Sequence, residues 1–189
     1  MKTQEIEKKI SGVTRKLIDD FENYPDKYLT ESDVRCFLFQ RLMSCKEFNQ
    51  LQQTKDSSFS IPLHTEVRWY GKSGKLRWRS DIVVVDVSSL RVKNNIFRLP
   101  SKGYEFNKPL AIIEIKLRRT IGSSDNTFIK KVHEDIHRLK EIRNKLPGDY
   151  VCFLVILDKK NNIEKMIKSI NREEKIKIIY KYSNNRKAI

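Results

Sequence analysis

The sequence predicts an α/β protein: one mixed β-sheet with helices on both faces. Two observations carry this expectation. Apolar residues at helical spacing alternate along the chain with stretches of period two. The run Tyr150 to Leu157 is almost continuously apolar, as expected of a central strand covered on both faces.

The elements follow in order. Ile6, Ile10, Val13, Leu17 and Phe21, at spacings of 4, 3, 4 and 4, predict an amphipathic helix over 3–21, ended by Tyr24-Pro25. Thr30 is the expected N-cap of a second helix over 31–46, with Asp33 placed to complete a capping box. Its apolar face is Val34, Phe37, Leu38, Leu42 and Cys45, and Glu31 lies in its first turn. The polar stretch 49–58 reads as a loop. Leu63–Tyr70 and Lys75–Val87 read as a hairpin about Gly71–Gly74. A turn centred on Lys72-Ser73 pairs Glu66 with Arg79, Val67 with Trp78 and His64 with Asp81. It puts Arg77, Arg79, Asp81, Val83 and Val85 on one face, with Trp78, Ser80, Ile82 and Val84 on the other.

Residues 88–107 show no period and carry Arg91, Lys93, Arg98 and Lys102, with Phe97 and Tyr104 between them, a basic loop of the kind usually given over to function. Pro109–Leu117 is the next strand. A helix follows over 128–146, with Asp125 as its expected cap and Pro147-Gly148 as its stop. After the strand 150–157 come a short helix over 162–170, a strand over 175–182 expected at a sheet edge, and a polar tail. One domain fits 189 residues: an N-terminal helical extension (1–25), a core (28–158) and a C-terminal helix, strand and tail (159–189).

Composition narrows the partners. There are 39 Lys+Arg against 24 Asp+Glu, a formal net charge of +15, which favours polyanions and nucleic acid above all. Hydrophobic residues make up 39%, enough for a core. No apolar run approaches the roughly 18 residues of a membrane span, and the N-terminus lacks a signal-peptide pattern, so a cytoplasmic protein is expected. Cys36, Cys45 and Cys152 show neither disulfide nor metal-ligand spacing. Few glycines and no Gly-rich loop argue against a nucleotide-binding fold.

The chemistry gathers on Lys108–Arg119, an apolar strand with an acid and a base inside it. Strand alternation puts Glu114 and Lys116 on one face, and Ile113, Ile115 and Leu117 on the other. A charge in such a strand is costly unless it is paired or binds a metal. Asp81 on the preceding strand and Glu31 on the upstream helix complete the candidate set. Paired carboxylates suit Mg²⁺, a hard cation that prefers oxygen ligands. A lysine beside them can orient an attacking water or offset phosphate charge.

These residues resemble the PD-(D/E)xK nuclease superfamily, which has the restriction-endonuclease-like fold. The resemblance rests on Arg79-Ser80-Asp81 through Asp86, on Ile113-Glu114-Ile115-Lys116, and on Leu29 to Arg35 upstream, across roughly 28–158. It implies a core of helix, three strands, helix and strand. It also implies a Mg²⁺-dependent endodeoxyribonuclease, with Mn²⁺ as a substitute ion. Asp81 and Glu114 would be the metal ligands with the Ile115 carbonyl, Lys116 the catalytic lysine, and Glu31 an assisting carboxylate. The expected partner is DNA, duplex or branched, and a homodimer is the common arrangement when both strands are cut. Ser80 stands where the pattern has proline. The separation of Asp81 from Glu114 is long, which leaves Asp86 as a rival acid.

Other residues have plainer readings beside the functional ones. Glu66 is most simply the partner of Arg79. Arg77 and Arg79 either hold phosphates or neutralise the acids, and Arg118, Arg119, Lys130 and Lys131 are further expected nucleic-acid contacts. His64 reads as a surface or packing histidine. His133 and His137, at i and i+4 without a third ligand, read as a solvated or DNA-facing helix surface. Trp69 and Trp78 read as core. A non-catalytic nucleic-acid-binding or assembly module is the main alternative, and an RNA-processing nuclease a weaker one.

Overall fold

A computed structural model describes residues 3–70, 75–92, 100–101, 104–105, 108–146, 148–160, 162–170 and 176–183. The Gly71–Gly74 turn, Lys93, Phe97, Arg98 and Lys102 of the basic loop, and the tail from 184 lie outside the described residues.

The first layer is helical. α1 spans Thr3–Asn23 and buries Ile6, Ile10, Leu17 and Phe21 of the predicted stripe, together with Thr14, while Val13 is only half-buried. A single 3-10 turn at Pro25–Lys27 leads to α2, Glu31–Met43. The capping box is present: the Asp33 amide donates to Thr30 Oγ1, and the Thr30 amide donates to Asp33 Oδ2. Such a cap contributes about 1 kcal/mol, and here it also fixes where Glu31 starts the helix. Asp20 Oδ2 joins the two helices by accepting from Lys27 Nζ, Tyr28 Oη and Arg41 Nη2 at 2.7, 2.7 and 3.0 Å.

The second helix ends three residues earlier than expected, and α3 (Lys46–Asn49) follows as a separate turn. The predicted loop at 49–58 contains β1 (Gln52–Gln53), which pairs with β2 (Phe59–Ser60). β3 is Leu63–Tyr70 and β4 is Leu76–Val85. Within the basic stretch, β5 (Pro100–Ser101) pairs with β6 (Tyr104–Glu105). β7 is Pro109–Arg118, α4 is Asp125–Lys145, β8 is Val151–Asp158, α5 is Glu164–Lys168 and β9 is Ile176–Tyr182. α4 is capped by the Ser124 hydroxyl, not by Asp125, which sits in the first turn.

The main sheet has the order β3-β4-β7-β8-β9. β3, β4 and β7 are antiparallel neighbours, whereas β7, β8 and β9 run parallel. All eight residues of β8 are buried, as its composition required, and β9 is an edge strand, as expected. α1 and α2 cover one face, against Ile82, Val84, Ile113, Ile115 and Phe153. α4 and α5 cover the other, against Val83, Ile112, Leu154 and Ile156. The fold is therefore a mixed sheet with helices on both faces. Among the described residues, no helix is long and apolar enough to cross a membrane.

The β3–β4 pairing corrects the expected register. Val67 opposes Ser80, Arg68 opposes Arg79, and His64 opposes Val83, so the strands slide by two residues from the predicted alignment. Glu66 still pairs with Arg79, but by a diagonal ion pair of 3.0 Å. Glu66 and Asp81 are the opposed positions left out of the ladder. Glu66 has φ 56°, a left-handed conformation unfavourable for a residue with a Cβ. The alternation of faces slips there on both strands. Leu63 faces α1 and α2 whereas Val67 faces α4; Trp78 packs toward α4 whereas Ile82 faces α1 and α2. Arg77 and Arg79 therefore do not share a face with Val83 and Val85, and on the side opposite Ile82 Trp69 is buried and Trp78 half-buried against the core.

The strain at Glu66 is testable. Glu66→Ala keeps the cost of the left-handed backbone and loses the ion pairs, whereas Glu66→Gly loses both the cost and the ion pairs. The Gly variant is expected to be more stable than the Ala variant by about 1 kcal/mol in urea unfolding. Equal stabilities would show that the left-handed conformation is not held in solution.

Candidate active site

The site forms where the sheet opens. β4 pairs with β7 from Val85 to Ile82, opposite Pro109 to Ile113, and no further. Beyond that point the β7 amides on this side lack a β4 carbonyl, and an unpaired buried amide is costly. Carboxylates take over. The Ile115 amide donates to Asp81 Oδ2 at 2.8 Å, and the Leu117 amide donates to Glu31 Oε1 at 3.4 Å. The acids from β4 and α2 are thus held against β7 by the ladder's own unmet need.

Lys116 spans the helical layers. Its Nζ is 3.1 Å from Asp135 Oδ2 of α4 and 3.7 Å from Glu31 Oε2 of α2. Burial would lower its pKa, but the charges of Asp135 and Glu31 outweigh that and hold the ammonium above its usual value. Lys116 thus bonds across the layers and not to its strand neighbour Glu114. Asp135 itself is buried, with its pKa raised by desolvation despite Lys116 and Arg138.

Glu114 is the deepest acid, only 3% exposed. Burial first, then the charges of Asp81 and Asp135, push its carboxyl up to about 8. Arg138 and a hydrogen bond from Ser80 pull in the other direction. Glu114 Oε1 has no hydrogen-bond partner. A buried, unpartnered carboxylate oxygen amid two further acids is the environment that a hard divalent cation relieves, so the donor set fits Mg²⁺. Among the described residues, no group of three or more His, Cys, Asp or Glu side chains is arranged to hold a metal. The expected set is two carboxylates, Asp81 and Glu114, with the Ile115 carbonyl.

Two arginines supply counter-charge. Arg35 of α2 ion-pairs with Glu66 and approaches Asp81 Oδ1 to 3.4 Å. Arg138 of α4 lies 3.8 Å from Glu114 and 3.1 Å from Asp135 Oδ1. These pairs leave the cluster close to balanced, which lets so many acids sit together.

The structure thus brings Asp81, Glu114, Lys116 and Glu31 together. Asp86 caps the 3-10 turn at Val87–Ser89 and is occupied there by Ser88. Arg77 is exposed, stacked 5.1 Å over the Trp78 ring, and Arg79 serves Glu66. Arg119, Lys130 and Lys131 are exposed. Arg118 is not: it is buried, ion-paired with Asp125 and Asp158 and bonded to Asn162, so its charge is already matched inside the fold. His133 and His137 are exposed on α4.

Four residues escaped the sequence reading: Arg35, Arg138, Asp135 and Ser80. Asp135 had a signal. It falls in the apolar stripe of α4, between Val132 and Leu139, where a solvated acid does not belong. Ser80, in place of the pattern's proline, has its hydroxyl 3.0 Å from Trp69 Nε1 and bonds Glu114.

Comparison of the chain with protein-family models, with curated proteins and with solved structures found no match.

The raised Glu114 pKa has a consequence for stability without metal. Its folded pKa lies above its unfolded value, so the protein loses stability as pH rises from about 4.5 to about 8. Glu114→Gln removes that dependence. In EDTA the variant should match wild type near pH 4 and exceed it at pH 8, by on the order of 3 kcal/mol. A variant less stable than wild type at pH 8 would show that the ionised carboxylate is well compensated.

Proposed function

We propose that the protein is a Mg²⁺-dependent endonuclease that hydrolyses phosphodiester bonds in DNA, built on a restriction-endonuclease-like fold. The observation that carries this reading is the meeting of Asp81, Glu114 and Lys116 at the point where two strands part. The order of α2, β3, β4, β7, α4 and β8 supports the fold assignment. The net charge of +15 supports a nucleic-acid substrate.

Asp81 and Glu114 would hold the cation, together with the Ile115 carbonyl. A bound Mg²⁺ supplies acidified water and positive charge toward the phosphate. Lys116, kept as an ammonium by Asp135 and Glu31, donates a hydrogen bond to the attacking water or to a phosphate oxygen, and does not take up a proton. Glu31 orients Lys116 while bonding the Leu117 amide. Asp135 anchors Lys116 from α4. Arg35 and Arg138 are counter-ions of these acids and would be free to meet phosphate if a cation took their place. The same chemistry is compatible with a homodimer that cuts both strands.

A non-catalytic nucleic-acid-binding module is the second reading. It is favoured by one observation, that arginines already lie on Asp81 and Glu114. Nicking of plasmid DNA in Mg²⁺ and in EDTA separates the two, with RNA, single-stranded DNA and duplex DNA offered side by side. The nuclease reading predicts Mg²⁺-dependent nicking that falls by at least about 10²-fold in Lys116→Ala and Asp81→Asn. Wild type and Lys116→Ala behaving alike at equal purity would overturn it. Salt-sensitive binding without cleavage, unchanged or tighter in Asp81→Asn, would establish the second reading.

A further inference from the structure

Beside the acid cluster lies a groove of about 430 Å³, within the range of sites that hold a small molecule or a single residue of a polymer, about 300–1,000 Å³. It runs between the start of α2, the end of β7 and the first turns of α4. Glu31 lies on its wall, so the groove opens directly onto the Lys116 side of the cluster.

The lining is divided by chemistry. Phe128 and the buried Arg118 form the inner wall, and Arg118 is held by its ion pairs, with Nε the one nitrogen left without a partner. The rim carries Arg119 and Lys131, both exposed and neither ion-paired with a described residue. Between them on the β7–α4 connection stands Ile121, 88% exposed. The next residue, Gly122, has φ 148°, a conformation strained for any residue with a Cβ, so the loop's shape depends on glycine there. A lone exposed isoleucine is common on protein surfaces. This one is placed differently: it projects at the mouth of a cationic groove that leads to carboxylates.

We propose that this groove seats an unpaired nucleotide next to the scissile phosphate, with Arg119 and Lys131 on its phosphate and Ile121 wedged beside its base. The inference rests on the nuclease reading for the identity of the scissile phosphate, but not for the groove's own preference. Free cations give backbone attraction without sequence readout. An exposed aliphatic side chain lowers the cost of keeping a base out of the stack, as apolar wedges do. The preferred substrate is then nucleic acid carrying a flap, a frayed end or a branch, and uninterrupted duplex is the poorer one.

The test uses the full chain and DNA oligonucleotides carrying 2-aminopurine, either in a fully paired duplex or as the first unpaired nucleotide of a flap. Binding is read in EDTA from 2-aminopurine fluorescence, and cleavage in Mg²⁺ from the same strands. The flap should bind about tenfold more tightly than the duplex, with a fluorescence change confined to the flap. Ile121→Ser should abolish that change and most of the preference. Arg119→Ala with Lys131→Ala should weaken binding and reduce the slope of log affinity against log salt by roughly 1 to 2. Both variants alter exposed side chains only, and equal thermal melting confirms that they fold.

The two readings fail separately. Preferential flap binding that depends on Ile121, without cleavage in Mg²⁺, keeps the groove and removes the nuclease. Cleavage that treats flap and duplex alike, or a flap preference untouched by Ile121→Ser, removes the groove and keeps the nuclease.

Discussion

The structure depends on one constraint: β7 must satisfy its backbone after β4 leaves it. β4 accompanies β7 only from Val85 to Ile82. Past that point the amides of Ile115 and Leu117 donate to side-chain carboxylates in place of a strand's carbonyls. An acid placed there is anchored by a backbone donor and held in a fixed position. Asp81 and Glu31 are drawn to β7 for this reason, and Glu114 and Lys116 are already part of it. The parting of the strands and the gathering of charge have the same cause.

The parting itself is set by the opposed pair Glu66 and Asp81. Both are missing from the β3–β4 ladder, and side-chain alternation slips on both strands there. The slip frees Asp81 from the sheet's pleat so that its carboxylate can reach the Ile115 amide. Glu66 bears the backbone cost with its left-handed φ, and its carboxylate binds Arg35 and Arg79. Arg35 also approaches Asp81, which couples the irregular pair to α2. Strain and charge are thus concentrated at one position, the pattern expected where a fold serves a site.

Much of this was legible in the sequence. Helical spacing and the capping box placed α1 and α2, the unbroken apolar run marked β8 as central, and period two put Glu114 and Lys116 on one face. The β3–β4 register was read from a turn assumed to be two residues long, and the actual pairing slides by two. No sequence signal announced that alternation slips at Glu66 and Asp81, because that depends on three strands and a helix packed together. Arg118 was expected to contact nucleic acid; Asp125, Asp158 and Asn162 surround it instead. Asp135 was passed over, although its place in the apolar stripe between Val132 and Leu139 set it apart.

The electrostatic state of the cluster decides its role. The cluster sets Asp81, Glu114, Asp135 and Glu31 against Lys116, Arg35 and Arg138. If Asp81 and Glu114 hold a cation, as proposed, the arginines would withdraw from them, and the most direct observation is a crystal structure of the protein soaked in Mn²⁺. The account predicts anomalous density between Asp81 and Glu114, with Arg35 and Arg138 withdrawn from them. Mn²⁺ bound elsewhere, or both arginines still in place with no ion between the two carboxylates, would contradict it.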